Sequence, residues 1–108
     1  MKETHTNANV IDWKAAEGYP EGARIKVLND GSEDSPRAFL LKMRPGWMMN
    51  EHSHVHAEIH YVLEGEYESH NKVYTEGSIR MIPEHANHGP FTTIRGAVVL
   101  VIALNNIP

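Results

Sequence analysis

The chain has 108 residues, a length that suits one domain around one hydrophobic core. Its hydrophobic content of 41% and charged content of 22% belong to a globular chain and exclude a disordered one. A formal charge of -4 with both signs scattered excludes the basic stripe of a nucleic-acid or anionic-membrane surface, and the lack of cysteine excludes disulfides, thiolate nucleophiles and sulfur-ligated metals.

The start, MKETHTNANVIDW, has no apolar stretch of the signal-peptide kind, and residues 1–9 read as a flexible arm or an edge strand. Lys14–Gly18 (KAAEG) has the composition for one helical turn. From there the pattern is β. Ala23–Leu28 alternates apolar and basic residues up to a turn cluster, Asn29-Asp30-Gly31-Ser32. Ala38–Arg44 puts Phe39, Leu41 and Met43 on one face and Lys42 and Arg44 on the other, and Pro45-Gly46 closes it. Glu58–Leu63 reads as a strand ending at Gly65, and Glu66–Ser69 pairs with Lys72–Tyr74 across a His70-Asn71 turn. Gly77–Pro83 and Gly96–Leu104 complete the set.

Short strands divided by Gly and Pro, with no repeat and no linker, predict a single all-β domain over residues 1–108, a sandwich or barrel. The apolar run Ala97–Leu104 is too short to span a bilayer, so no membrane partner is expected and a cytoplasmic location follows by default. That last strand is apolar on both faces, which points to sheet stacking or a subunit interface, and a homodimer is expected.

Seven of the eight histidines lie between His52 and His88. In an extended chain His52, His54, Glu58 and His60 share one face, since side chains two apart point the same way. Imidazoles with one carboxylate and no sulfur suit a divalent transition metal: Fe, Mn, Ni, Co, Zn or Cu. Ser53, between His52 and His54, faces away from them, and no phosphate loop, nucleophile elbow or dinucleotide fingerprint is present.

The stretch from Gly46 through His52, His54 and Glu58 to Gly65 resembles the first signature of the cupin superfamily at every defined position. Gly77, Pro83 and His88 stand in register with the second signature, over residues 77–92, with His85 where glycine is usual and Thr92 where asparagine is usual. The resemblance, to small single-domain RmlC-like cupins carrying both motifs, implies a double-stranded β-helix, or jelly-roll barrel, with one metal near its mouth. It implies His52, His54, Glu58 and His88 as the ligands, with Fe or Mn the favoured ion.

His60 lies outside the signature. In the acireductone dioxygenases that resemble this chain, the matching position is an arginine that meets substrate. An imidazole there is a candidate general base or substrate-orienting group, set against a supporting histidine bonded to a neighbour. His56 and His85 read as solvent-facing or rim positions. Met43, Trp47, Met48, Met49 and Phe91 read as core, some of them lining an apolar pocket.

The expected function is a non-haem Fe(II) or Mn(II) dioxygenase acting on a small enolisable or vicinal-oxygen substrate. The alternatives are a non-oxidative metal-dependent isomerase, lyase or cyclase, or a metal- or small-ligand-binding module without catalysis.

Overall fold

The structure is a computed structural model that describes residues 1–53 and 55–104, with His88 described in its backbone only. The strands are β1 (Lys14–Ala15), β2 (Ala23–Asn29), β3 (Arg37–Met43), β4 (Met48–Met49), β5 (His52–Ser53), β6 (Glu58–Ser69), β7 (Lys72–Thr75), β8 (Ile79–Ile82), β9 (Asn87–His88), β10 (Phe91–Thr92) and β11 (Ala97–Ala103). All of the pairings among the described residues are antiparallel. The arrangement is all-β, a curled sheet wrapped around a core, in keeping with the expected jelly-roll barrel.

Strand β6 organises the barrel. Its first half lies between β11 and β8, and its second half between β7 and β10. The sequence predicts a break at Gly65, but the strand runs through it as one bent element. Gly65 takes φ +72, and the register against β11 slips between Val98 and Val99, so a bulge turns the chain without ending its pairing.

The bulge also changes which residues face inward. Glu58, His60 and Val62 are buried before it, and Tyr67 and Ser69 after it. The parity shifts from even to odd numbers, as one extra residue requires.

The core follows the alternation. Phe39, Leu41 and Met43 of β3 pack with Ala97, Val99 and Val101 of β11, joined by Ile25, Trp47, Val62, Tyr67 and Phe91. Burying a side chain such as Val62 or Val99 contributes about 1.5–3 kcal/mol, which fixes the register of both strands. Trp47 also donates its indole N–H to the Pro20 carbonyl at 3.1 Å.

KAAEG does not form a helical turn. Lys14 and Ala15 pair with Ile25 and Arg24, and Ala16, whose N–H donates to Ala23 O, is buried. Five residues are too few to sustain a helix, whereas the edge of β2 offers their backbone groups partners at once. The helical turn that does form is a 3-10 turn at Ala8–Val10, where the Asn7 side chain accepts from Asn9 N–H at 2.8 Å. Residues 1–9 touch β2 at points, with Lys26 Nζ donating to Ala8 O at 2.8 Å and Thr4 Oγ1 3.5 Å from Asn29 Oδ1.

The outer face of the sheet is apolar across four strands. One row runs Leu40, Leu100, Tyr61, Ile79 and the next Ala38, Ile102, Ile59, Met81. Ile79 and Met81 are 63% and 65% exposed, so β8 extends the apolar surface of β11 into solvent.

Candidate metal centre

Positions 52 and 88 stand directly opposite each other on the antiparallel pair β5–β9. Such partners carry their Cβ atoms about 4.5–5.5 Å apart, close enough for side chains to serve one ion. His54 lies outside the described residues. Ser69, buried on β6, accepts the Gly89 N–H at 3.2 Å and so ties the segment just after His88 to the strand that carries Glu58.

The ring of His52 is half-buried beside Phe91, at 5.8 Å between centroids. Its Nδ1 lies 3.2 Å from the Asn50 carbonyl oxygen. A carbonyl only accepts, so Nδ1 carries the proton and the lone pair sits on Nε2, the orientation that metal-binding histidines commonly use.

Glu58 is 8% exposed, at the inner start of β6. Its Oε1 lies 2.9 Å from Nε2 of His60, which is itself buried. The other ring nitrogen of His60, Nδ1, lies 3.1 Å from the Tyr67 hydroxyl. A narrow cavity with about 20 Å³ of room is lined by His52, Glu58, His60, Met49, Phe91 and Tyr19 among others, enough for one water or one ion. A wider groove of about 460 Å³ opens beside it, lined by Tyr19, Arg37, Val55, His56 and Glu58 among others, a size suited to a small molecule.

The donor types suit a divalent metal, although among the described residues no three His, Asp or Glu side chains are gathered closely enough to hold one. A buried carboxylate, an imidazole with its lone pair on Nε2 and a second histidine position directly across the strand pair make a hard-to-borderline nitrogen and oxygen set. His56 and His85 are exposed, His56 on the wall of the groove. His85 takes φ +61, so the position where the signature has glycine keeps a left-handed backbone. Thr92 is an ordinary strand residue opposite Glu68 and Met48, and the buried hydroxyl is its neighbour Thr93, which donates to Glu66 O at 2.6 Å. Of the apolar residues near the motifs, Met43, Met49 and Phe91 line the cavity, Trp47 is core and Met48 is exposed.

Two residues at this centre escape the sequence patterns. Tyr67 is hidden by the bulge, since counting by twos from Glu58 places it outside. Tyr19 arrives from the loop before β2, where no periodicity marks it. Burial and the charge of Glu58 push the Tyr19 phenol up to about 12, with Arg37 pulling the other way.

A raised phenol stays neutral in the folded chain while an unfolded tyrosine ionises near pH 10. Folding stability is therefore fully present below about pH 10 and falls by about 2–3 kcal/mol as pH rises to 12. Tyr19→Phe should flatten much of that fall in urea-unfolding free energies taken across the alkaline range. Equal falls in variant and wild type would contradict the assignment.

The comparisons with known proteins agree with this architecture. The chain superimposes with TM-score 0.73 on the anti-sigma factor ChrR of Rhodobacter sphaeroides, solved in complex with SigE; identity is 22% over 91% of this chain and 52% of that one. It thus spans about half the length of that protein. A protein of Methylibium petroleiphilum PM1, provisionally named an acetylacetone dioxygenase, gives TM-score 0.86 at 16% identity, covering 96% of this chain and 78% of that one. The polyketide cyclase RemF of Streptomyces resistomycificus gives 0.78 at 22%, covering 95% and 78%. At these identities the likeness speaks for the fold. No curated protein sequence matches the chain. Among the described residues no helix is long and apolar enough to cross a membrane. Over residues 1–107 the sequence matches the ChrR cupin-like domain, and the chain belongs to that family of cupins.

Proposed function

We propose that this cupin is a metal-dependent enzyme, a non-haem Fe(II) or Mn(II) dioxygenase acting on a small enolisable or vicinal-oxygen substrate. The observation that carries the reading is the buried Glu58 carboxylate facing one cavity with His52, on strands whose register sets His88 opposite His52. His52, His54, Glu58 and His88 would hold the ion. Bound there, it would act as a Lewis acid toward two neighbouring substrate oxygens and lower the substrate's pKa. The chain itself supplies an apolar floor of Met49 and Phe91 and a groove wall of Tyr19 and Arg37, where a guanidinium can meet an anionic oxygen.

The provisional naming of the Methylibium protein supports an oxidative reading, and the cyclase name of RemF keeps a non-oxidative one beside it. A second reading is a binding module, favoured by the ChrR-like family match. One experiment separates them. The protein is purified without chelator, its metal is identified, and O2 uptake is followed with diketones, enediols and catechols after iron loading. O2 consumption coupled to loss of one of these compounds is the expected result. Zinc alone, with no uptake after iron loading, would rule against the dioxygenase, and a full metal complement with no turnover would favour the binding module.

We also propose that the apolar outer face pairs two copies about a two-fold axis, since rows centred on Leu100 and Ile102 present the same patch from each subunit. Light scattering should give twice the chain mass, and the double variant Ile79→Lys, Met81→Lys should give the monomer. A wild-type monomer at micromolar concentration removes this proposal.

A further inference from the structure

Four buried or half-buried polar side chains line up behind the candidate metal centre. Glu58 Oε1 is 2.9 Å from His60 Nε2, and His60 Nδ1 is 3.1 Å from the Tyr67 hydroxyl. Beyond Tyr67 stands Arg80, whose guanidinium lies 4.8 Å from the Tyr74 ring and 5.8 Å from the Phe91 ring. Register places Arg80 directly beside His60, as partners on β6 and β8, so its guanidinium also reaches the Tyr67 end of this group.

The line has a polarity. An ionised carboxylate only accepts and a guanidinium only donates. His60 therefore presents Nε2–H to Glu58, and a neutral imidazole then keeps Nδ1 as an acceptor that the Tyr67 O–H can fill. Burial holds the Tyr67 phenol up, against the pull of the Arg80 guanidinium, so its proton is retained. Every proton then points toward Glu58. With both ring nitrogens of His60 engaged inside the protein, the residue is better placed to hold Glu58 than to take a proton from substrate.

We propose that Tyr67 is a positioning residue for the metal centre, acting through His60 to fix the rotation of the Glu58 carboxylate. The proposal rests on the metal-site reading above. Tyr67 is fully buried, stacked on Tyr74 at 5.2 Å between centroids and set against Phe91, so its ring is rigid and its hydroxyl cannot wander. His60 is pinned between Tyr67 and Glu58 and packs against Phe91 at 6.1 Å. A carboxylate held this way meets an ion without first losing rotational freedom, and partners of this kind are commonly worth about 10–100-fold in metal affinity.

The test uses the full chain, Co(II) and Zn(II), and competition with a chromophoric chelator. Tyr67→Phe keeps the ring and removes the hydroxyl, and is expected to weaken both metals about 10-fold and to shift the visible Co(II) spectrum. His60→Leu is expected to weaken them about 10–100-fold, and the double variant no further than His60→Leu alone, because Tyr67 works through His60. Losses that add in the double variant, or a Tyr67→Phe protein with unchanged affinity and spectrum, overturn the proposal alone. A wild-type protein that binds neither metal overturns the metal-site reading and this proposal with it. Should Tyr67→Phe fail to fold, nitrogen-15 spectra of the wild-type imidazoles decide: Nε2 protonated and Nδ1 bare on His60 is expected, and the reverse tautomer overturns the proposal.

Discussion

Glu58→Gln should lower divalent-metal affinity by two orders of magnitude or more while leaving the metal-free protein as stable as wild type, or more so. The two halves of this expectation come from the same burial. Glu58 is 8% exposed, and its Oε1 accepts from His60 Nε2 at 2.9 Å. Bound metal would neutralise the carboxylate, and without metal it is a charge held out of water. Structural four-ligand sites bind zinc with roughly 10–16 kcal/mol, so one charged donor of four accounts for about 3 kcal/mol, or about 100-fold.

Glutamine keeps the shape and an oxygen that can still accept from His60 Nε2–H, so the hydrogen bond survives and the charge does not. Thermal unfolding with and without added Zn(II) reads both effects together. The metal-induced rise in midpoint should vanish in the variant, while the metal-free midpoint stays or climbs. A variant that gains as much from zinc as wild type does would remove Glu58 from the ligand set.

The strand pattern and the spacing of His52, Glu58 and His60 were readable from sequence for a simple reason. Each depends on local alternation, and alternation is what an extended backbone imposes. The buried faces of β3 and β11 follow it residue by residue. What alternation cannot report is a change of parity or a contribution from elsewhere in the chain.

Tyr67 illustrates the first. The bulge at Leu63, just before Gly65, inserts one residue, so an odd-numbered tyrosine joins the face of even-numbered Glu58 and His60. Tyr19 illustrates the second, since a loop residue reaches Glu58 only through the packing of the loop before β2 against the barrel. The short segment Lys14–Ala15 failed in the opposite way. Its composition favours helix, but pairing with β2 outweighed a propensity too weak to act over so few residues.

The bend just after that bulge sets the second large expectation, for Gly65→Ala. Gly65 sits at φ +72, and a Cβ there would run into the backbone carbonyl oxygen of Gly96 and come within 3.0 Å of Ala97 Cα. Neither obstacle is a flexible side chain. Relief requires moving the start of β11, whose Ala97 and Val99 are core residues. Left-handed backbone strain for a non-glycine residue costs about 1–2 kcal/mol alone, and the clash with fixed backbone should bring the total to about 3 kcal/mol or more.

Gly77 provides the control. It belongs to the second motif and has φ +88, but nothing lies within 4 Å of the Cβ it would gain. Gly77→Ala should therefore lose only the backbone term, about 1–2 kcal/mol. Urea unfolding of the two variants isolates the clash, and a Gly65→Ala protein no less stable than Gly77→Ala would refute it. Because the bulge is also what brings Tyr67 onto the inward face with His60, a folded Gly65→Ala protein should bind metal more weakly than Gly77→Ala does. The glycine shared with the first signature thus acts on the candidate centre through the close approach of β6 to β11 just after the bulge, which holds Tyr67 on the face of His60.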